Sequence, residues 1–278
     1  MEHFLDTKDF LVSGESFSLM RDPQSELLAT TPSPDHLESY YQSEDYLSHN
    51  DTARGLMAFV YRAVKKISIN WKIRLIEKYA ADEKSLLDFG SGTGDLLQAA
   101  HRKGFEIAGV EPNAQARKRA GEKGIPLHHE LPAGKKYQVI TLWHVLEHLP
   151  DPEKELDRLK ELLHDNGTLF IAVPNFNSYD AQYYGEFWAA YDVPRHLWHF
   201  SKKSIQLLLD KLGMEIGEIR PMRFDAYYIS LLSEKYRSGS NRYFKAAYLG
   251  WRSNREGKRN GEYSSMLYIS HKKPQSRF

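Results

Sequence analysis

The chain contains no cysteine. That excludes a disulfide framework or a thiolate metal site and fits a reducing compartment. It also has no apolar run near the roughly 18 residues a membrane-spanning helix needs. The first residues, Met1-Glu2-His3-Phe4-Leu5-Asp6, lack the basic-then-apolar pattern of an export signal. A cytoplasmic location is the expectation. An overall excess of one charge is missing too, because 38 Lys and Arg face 37 Asp and Glu. The balance hides an asymmetry. Residues 1–50 carry ten acidic and two basic side chains, whereas residues 235–259 carry eight Lys or Arg and one Glu. Such a basic segment can meet nucleic acid, an anionic surface or a phosphorylated ligand, or dock on the protein's own acidic arm. At 278 residues, 41% hydrophobic, the chain is long enough for one large α/β domain with additions, or for a domain and a half.

From 85 to 220 the sequence alternates between strand-like and helix-like periods. Strands are predicted at 85–89, 106–110, 125–128, 137–142, 168–173 and 214–220. Helices are predicted at 95–103, 113–123, 152–163 and 202–212. Asp95, Asn113, Asp151 and Ser201 mark helix starts, and Gly104, Gly124, Gly167 and Gly213 mark helix ends. The alternation predicts a Rossmann-like doubly wound sheet of about seven strands, mostly parallel. Residues 264–270 read as a last strand, antiparallel because it follows a helical insertion. The organisation expected is an irregular N-terminal arm or lid over 1–50, with Pro23, Pro32 and Pro34 in it. A cofactor-binding core covers 51–220, with helices at 51–80 and a βα core at 85–220. A helical insertion or cap covers 221–262, and the last strand and tail cover 263–278.

The richest local signal is Leu86-Leu87-Asp88-Phe89-Gly90-Ser91-Gly92-Thr93-Gly94-Asp95. An apolar run ends in an acid, breaks into alternate glycines and passes straight into a helix. Such a turn brings backbone close to a ligand and points free N–H groups at it. Seventeen residues beyond Gly94, the run Phe105–Val110 ends in Glu111. An acid there can accept hydrogen bonds from two ribose hydroxyls. An adenosine-type cofactor is expected at the carboxyl ends of the strands. The third glycine comes one position earlier than in the G-x-G-x-x-G fingerprint. A nicotinamide-dependent dehydrogenase is therefore the least favoured alternative.

With these residues in view, the chain resembles the class I S-adenosylmethionine-dependent methyltransferases. Asp88–Gly94 resembles that family's first motif, and Val110-Glu111-Pro112 its acidic ribose motif. Tyr137–Leu149 resembles its fourth strand and the following turn, and Leu162–Pro174 its fifth strand. The nearest subgroup is that of ubiquinone-biosynthesis O-methyltransferase-like enzymes and related bacterial methyltransferases. The resemblance implies S-adenosyl-L-methionine as cofactor. It implies that Gly90, Gly92 and Gly94 face the methionine part and that Glu111 holds the ribose, with Asp88, Ser91 and Pro112 also among the cofactor-binding residues. Leu131, beside Glu130, would border the adenine, and Trp143 and His144 would sit over the sulfonium. Glu130-Leu131 departs from the family's acidic-then-small adenine motif. Tyr41 and Tyr46, with Tyr40, could form an aromatic lid toward the positive sulfonium.

His144-Val145-Leu146-Glu147-His148 also spells H-x-x-E-H, an inverted zinc-protease pattern. No third ligand is evident in the sequence, and Pro150 and Pro152 cut any helix short, so no metal is expected. The segment Tyr191–Ser201 follows the fifth strand and holds Arg195, His196, Trp198 and His199. Loops at the carboxyl ends of strands carry specificity. The expected reaction is methyl transfer to an oxygen or carbon of a small-molecule acceptor. A histidine is the expected general base, with His196 first, then His144, His199 and His148. A methyltransferase acting on nucleic acid and a non-catalytic S-adenosylmethionine-binding scaffold or sensor are the alternatives.

Overall fold

The computed structural model describes residues 1–34, 36–37, 40, 56–80, 83–132 and 134–274, with side chains from residue 64 onward in the first helix. A long helix, α1 (Leu56–Tyr79), precedes the βα region. Then follow β4 (Ser85–Phe89), α2 (Asp95–His101), β5 (Glu106–Val110), α3 (Ala114–Glu122), β6 (Tyr137–Trp143), α4 (Pro152–Glu161) and β7 (Leu163–Pro174). After a short helix, α5 (Tyr179–Tyr184), come β8 (Trp198–His199), α6 (Lys202–Lys211) and β9 (Met214–Pro221). Helices α7 (Asp225–Ser238) and α8 (Tyr243–Asn260) lead to β10 (Ser265–Lys272).

The main sheet has six strands in the order β5-β4-β6-β7-β10-β9. β4, β5, β6 and β7 pair in parallel, and β10 inserts antiparallel between β7 and β9. Both faces are covered, and the buried strand residues alternate between them, as the period of two requires. On β7, Leu169, Ile171 and Val173 join one core layer with Leu156, Leu159, Ile205 and Leu209 of α4 and α6. Phe170 and Ala172 join the other with Ile73 and Ile76 of α1 and Leu96 and Leu97 of α2. Each such Leu or Ile contributes roughly 1.5–3 kcal/mol when fully buried.

Two expectations change. The segment 125–128 is not a strand. It meets the sheet through one parallel bridge, His128 to Val110. Pro126 has no N–H to offer a ladder, which limits pairing there. The first 34 residues are not an irregular arm. They form an antiparallel meander of β1 (Glu2–Lys8), β2 (Ser16–Arg21) and β3 (Leu28–Thr31), whose edge pairs with β8. Alternating Phe17 and Leu19 of β2 are buried against Trp188 and Tyr191. Arg195 pins this second sheet down, with Nη2 2.9 Å from Asp9 and 2.6 Å from Asp192. Helices α7 and α8 lie between β9 and β10. Among the described residues, no helix is long and apolar enough to cross a membrane.

Candidate active site

β4 ends at a turn that the glycines make possible. Gly90, Gly92 and Gly94 have φ of 77°, 55° and 73°, a region costly for residues with a Cβ. The three differ in what surrounds them. A Cβ on Gly90 would lie 2.4 Å from Val145 Cγ2, and one on Gly94 3.1 Å from the Ala120 Cβ. A Cβ on Gly92 would meet nothing within 4 Å. Gly90 and Gly94 allow packing, and Gly92 borders open space. The turn is tied to β5, because Gly90 N and Ser91 N both donate to Val110 O, at 2.8 and 2.9 Å. Glu111 completes the tie. Its Oε2 accepts from Gly92 N at 2.8 Å, and its Oε1 from Asn113 N at 2.9 Å. Arg117 fixes the backbone behind it by donating to the carbonyls of Glu111 and Pro112. Ser91 turns its hydroxyl inward to Asp88 O, so it can offer the turn only its backbone. Leu131 packs against the core just beyond the His128 bridge. Tyr41 and Tyr46 lie outside the described residues. Tyr40 bonds Glu15 and packs edge-on to Phe17.

Asp88 is buried beneath the turn, where Thr141 Oγ1 donates to it at 2.6 Å. Burial pushes its carboxyl up to about 6, against the Thr141 hydrogen bond and the charge of Lys72. Lys72 of α1 lies 4.1 Å over the Trp143 ring. Burial lowers its pKa, while Asp88 and Asp225 act to raise it. The indole Nε1 of Trp143 is buried without a hydrogen-bond partner. A row of charge thus runs from the glycine turn through Lys72 and Asp225 to His144. His144 has φ 57° and stands where β6 breaks off. Its Nε2 is 3.0 Å from Asp225, and its Nδ1 is 3.4 Å from Glu147. Burial alone would lower its pKa, but these two carboxylates raise it to about 10.

Glu147 lies one turn further on, 1% exposed. Burial would raise its carboxyl, but the His144 bond and the charges of His196, His144 and His148 hold it down near 2. The Leu197 N–H donates to Glu147 O at 2.8 Å, and Thr30 N–H to Leu197 O at 2.9 Å. This stitching of β3, the loop after β7 and the turn after β6 carries His196 to His148, with ring centroids 4.5 Å apart. His148 Nδ1 pairs with Arg195 O, and His196 Nδ1 with Ala190 O, each at 2.9 Å. Burial, then the neighbouring His148, push the His196 imidazole down to about 4. His199 lies deeper, with Nε2 3.0 Å from Thr30 Oγ1, and burial drives its pKa well below the usual value.

The structure therefore joins all the sequence-predicted histidines but gives them different partners. Sequence reasoning missed Lys72 and Asp225. Lys72 sits within an ordinary amphipathic helix pattern, and Asp225 is 81 residues from the histidine it holds. The basic segment is largely engaged by the protein itself. Lys245 pairs with Glu234 at 2.9 Å, and Arg237, Arg252 and Arg255 lie over Tyr183, Tyr179 and Trp251.

A glycine turn after the first central strand, an acid after the second and an antiparallel strand in a parallel sheet define a methyltransferase of the S-adenosylmethionine-dependent, Rossmann-like class. A model of the methyltransferase-domain family matches residues 62–219, more than half of the chain, and the chain belongs to that family. The ubiquinone biosynthesis O-methyltransferase of Actinobacillus pleuropneumoniae serotype 5b (strain L20) is 28% identical over 173 residues, 55% of this chain and 73% of that protein. Magnesium protoporphyrin IX methyltransferase from Synechocystis PCC 6803, solved with bound SAH, is 12% identical. It covers 84% of this chain and 97% of that one, with a TM-score of 0.57. The plantazolicin methyltransferase, solved with a triazolic desmethylPZN analog and SAH, is 16% identical, over 84% and 93% of the two chains, with a TM-score of 0.53. At these identities the two structures show the shared fold.

The residues present fit the cofactor. Gly92 leaves the room that a methionine tail would fill, and the Glu111 carboxylate borders it. One prediction follows from that geometry. Gly92→Val should leave a folded protein, destabilised by about 1–2 kcal/mol for the left-handed φ, with cofactor binding lost. Retained binding in calorimetry would show that the space before Gly92 is not the cofactor's.

Proposed function

We propose that this methyltransferase acts on an oxygen or carbon of a small-molecule acceptor, with oxygen favoured by the relative of that activity. The observation that carries the reading is the charge row that links the glycine turn to a buried histidine cluster at the ends of β6 and β7. In this reading Glu111 holds the ribose hydroxyls, and the backbone of Gly90–Gly94 borders the methionine part. Leu131 borders the adenine, and Lys72 faces the methionine carboxylate. Trp143 stands on the sulfonium side. S-adenosylmethionine, when bound, supplies an electrophilic methyl group. The protein's part is to place the acceptor atom in line with that methyl, exclude water and take the acceptor's proton. Alignment of this kind can supply several kcal/mol.

Among the four histidines, His196 is best arranged to take that proton. Its Nδ1–H donates to the Ala190 carbonyl, which leaves Nε2 as the basic nitrogen. Both nitrogens of His144 face carboxylates, and His199 Nε2 is engaged by Thr30. His196→Ala should lower turnover by roughly 100-fold or more, the usual share of a general base, and leave S-adenosylmethionine affinity unchanged. Equal loss of both would argue against a base role. The engaged basic segment weighs against a nucleic-acid acceptor, and the cysteine-free composition supports a cytoplasmic enzyme. The first test is calorimetric titration with S-adenosylmethionine, S-adenosylhomocysteine and NADH. Affinities on the order of micromolar for the first two, and none for NADH, are expected. No binding of any of them would overturn the reading.

A further inference from the structure

Helix α8 departs from the rule that a surface helix keeps its outer face polar. Its inner stripe, Ala246, Leu249, Gly250 and Ser253, is buried. Gly250 lets α7 close in, since a Cβ there would lie 2.8 Å from the Tyr227 Cα. The opposite face carries Phe244, Tyr248 and Trp251, a second stripe at i, i+4 and i+7. Phe244 is 96% exposed. Tyr248 and Trp251 lie side by side, with ring centroids 5.9 Å apart. Tyr227 and Tyr228 of α7 and the adjoining Phe224 are exposed as well. More than half of the exposed large hydrophobic side chains of the described residues thus fall within 224–251. Single exposed apolar residues are ordinary, but a cluster of this kind marks a contact surface. Cations surround it, for residues 235–259 carry eight Lys or Arg and one Glu. Lys245 pairs with Glu234 and Arg259 with Glu256. Arg237, Arg252 and Arg255 lie over the rings of Tyr183, Tyr179 and Trp251. A ring orients a guanidinium but leaves its charge in place.

We propose that the outer face of α7 and α8 docks on an anionic lipid bilayer, with Phe244 and Trp251 at the boundary of headgroups and acyl chains. Aromatic residues along one face with Lys and Arg beside them are the composition of helices that lie in a bilayer interface. Trp and Tyr favour the headgroup level, and long cationic side chains reach the lipid phosphates from there. A second copy of this chain fits the face poorly. A two-fold contact sets the same surface against itself, and here that brings like charges together. Nucleic acid would meet the cations, but covering a row of protruding rings needs unstacked bases. An anionic bilayer covers rings and cations at once. Docking of this kind is independent of which acceptor is methylated. The docked face begins beside the active site, because Asp225, the first residue of α7, holds His144 at 3.0 Å.

The test is flotation of the full chain with vesicles of phosphatidylcholine alone and of equal parts phosphatidylcholine and phosphatidylglycerol. At about 0.1 M salt, charges still act over roughly 10 Å. Binding to the anionic vesicles is expected there, at least about tenfold tighter than to the neutral ones. Phe244→Asp should weaken it about tenfold or more, the factor carried by one buried aromatic ring. Arg255→Gln with Lys258→Gln should weaken it and flatten its salt dependence. Brominated acyl chains should quench tryptophan emission, and Trp251→Phe should remove most of that quenching. The Phe244 and Arg255 variants should titrate with S-adenosylmethionine like wild type, which shows them folded and lets the cofactor reading fail separately. No binding to anionic vesicles overturns the proposal, and so does undiminished binding in both variants. A dimer in sedimentation, or an oligonucleotide complex, that Phe244→Asp abolishes while vesicles stay unbound would assign the face to a second copy or to nucleic acid instead.

Discussion

Replacing Glu111 with alanine is expected to weaken S-adenosylmethionine binding by about 100-fold or more while the fold survives. In the free protein the two carboxylate oxygens accept from Gly92 N and Asn113 N. Each oxygen keeps a second acceptor site, which the ribose hydroxyls use in the proposed reading. A hydrogen bond to a charged group contributes about 1.5–3 kcal/mol. Losing two removes at least about 3 kcal/mol, and each 1.4 kcal/mol is a factor of ten. Stability should fall less. The two orphaned N–H groups flank the open space before Gly92, where water can reach them. Glu111→Gln keeps one acceptor and should sit between the two. Calorimetry beside thermal melting separates the effects. Unchanged affinity in a normally melting variant would remove Glu111 from the cofactor site. Loss of the fold would show that it acts only as a clamp on the turn.

Glu111 and the glycine turn were legible because they form a local pattern. A strand, a turn and a helix start carry their chemistry within about twenty residues, so spacing alone locates them. The same holds for the helix caps at Asn113, Asp151 and Ser201, each of which accepts from its own first turn. The failures have other causes. Prolines at 23, 32 and 34 outweighed the alternation of Phe17 and Leu19, whose partner layer is supplied by residues beyond 176. The alternation of strand and helix periods predicts a strand at 125–128, where Pro126 removes a donor. Long-range pairs leave no sequence trace at all. Asp225 reaches His144 across 81 residues, and His196 reaches Glu147 only through the fold. What distinguishes the four histidines is therefore set by tertiary neighbours, and sequence could name the group but not assign its members.

Among the ion pairs of the described residues, the one with the longest sequence separation should also be the costliest to break. Arg195→Ala is expected to destabilise the protein by about 3–5 kcal/mol, the cost of stranding a buried charge. The Arg195 and Asp9 side chains are 1% and 0% exposed, 186 residues apart, and bonded at 2.9 Å. The pair holds the N-terminal sheet against the loop that carries His196. The direction with pH follows from Asp9. Burial would raise its carboxyl, but the Arg195 hydrogen bond and charge and the N–H groups of Ser13 and Leu11 hold it below the usual range. A carboxyl lowered in the folded state adds stability that is present above its unfolded value near 3.9, and that is lost as pH falls through the native value. In Arg195→Ala the cation is gone, and burial then favours the protonated acid. That variant should recover stability as pH falls from about 7 toward 4, so its deficit against wild type narrows on acidification. Removing both charges, as Asp9→Asn with Arg195→Met, should cost less than Arg195→Ala alone, because the fully buried Asp9 charge goes with its partner and only the part-exposed Asp192 loses its cation. Urea denaturation of wild type and the two variants at both pH values measures this directly. A deficit that does not change with pH would mean that Arg195 acts by packing rather than by holding the Asp9 charge.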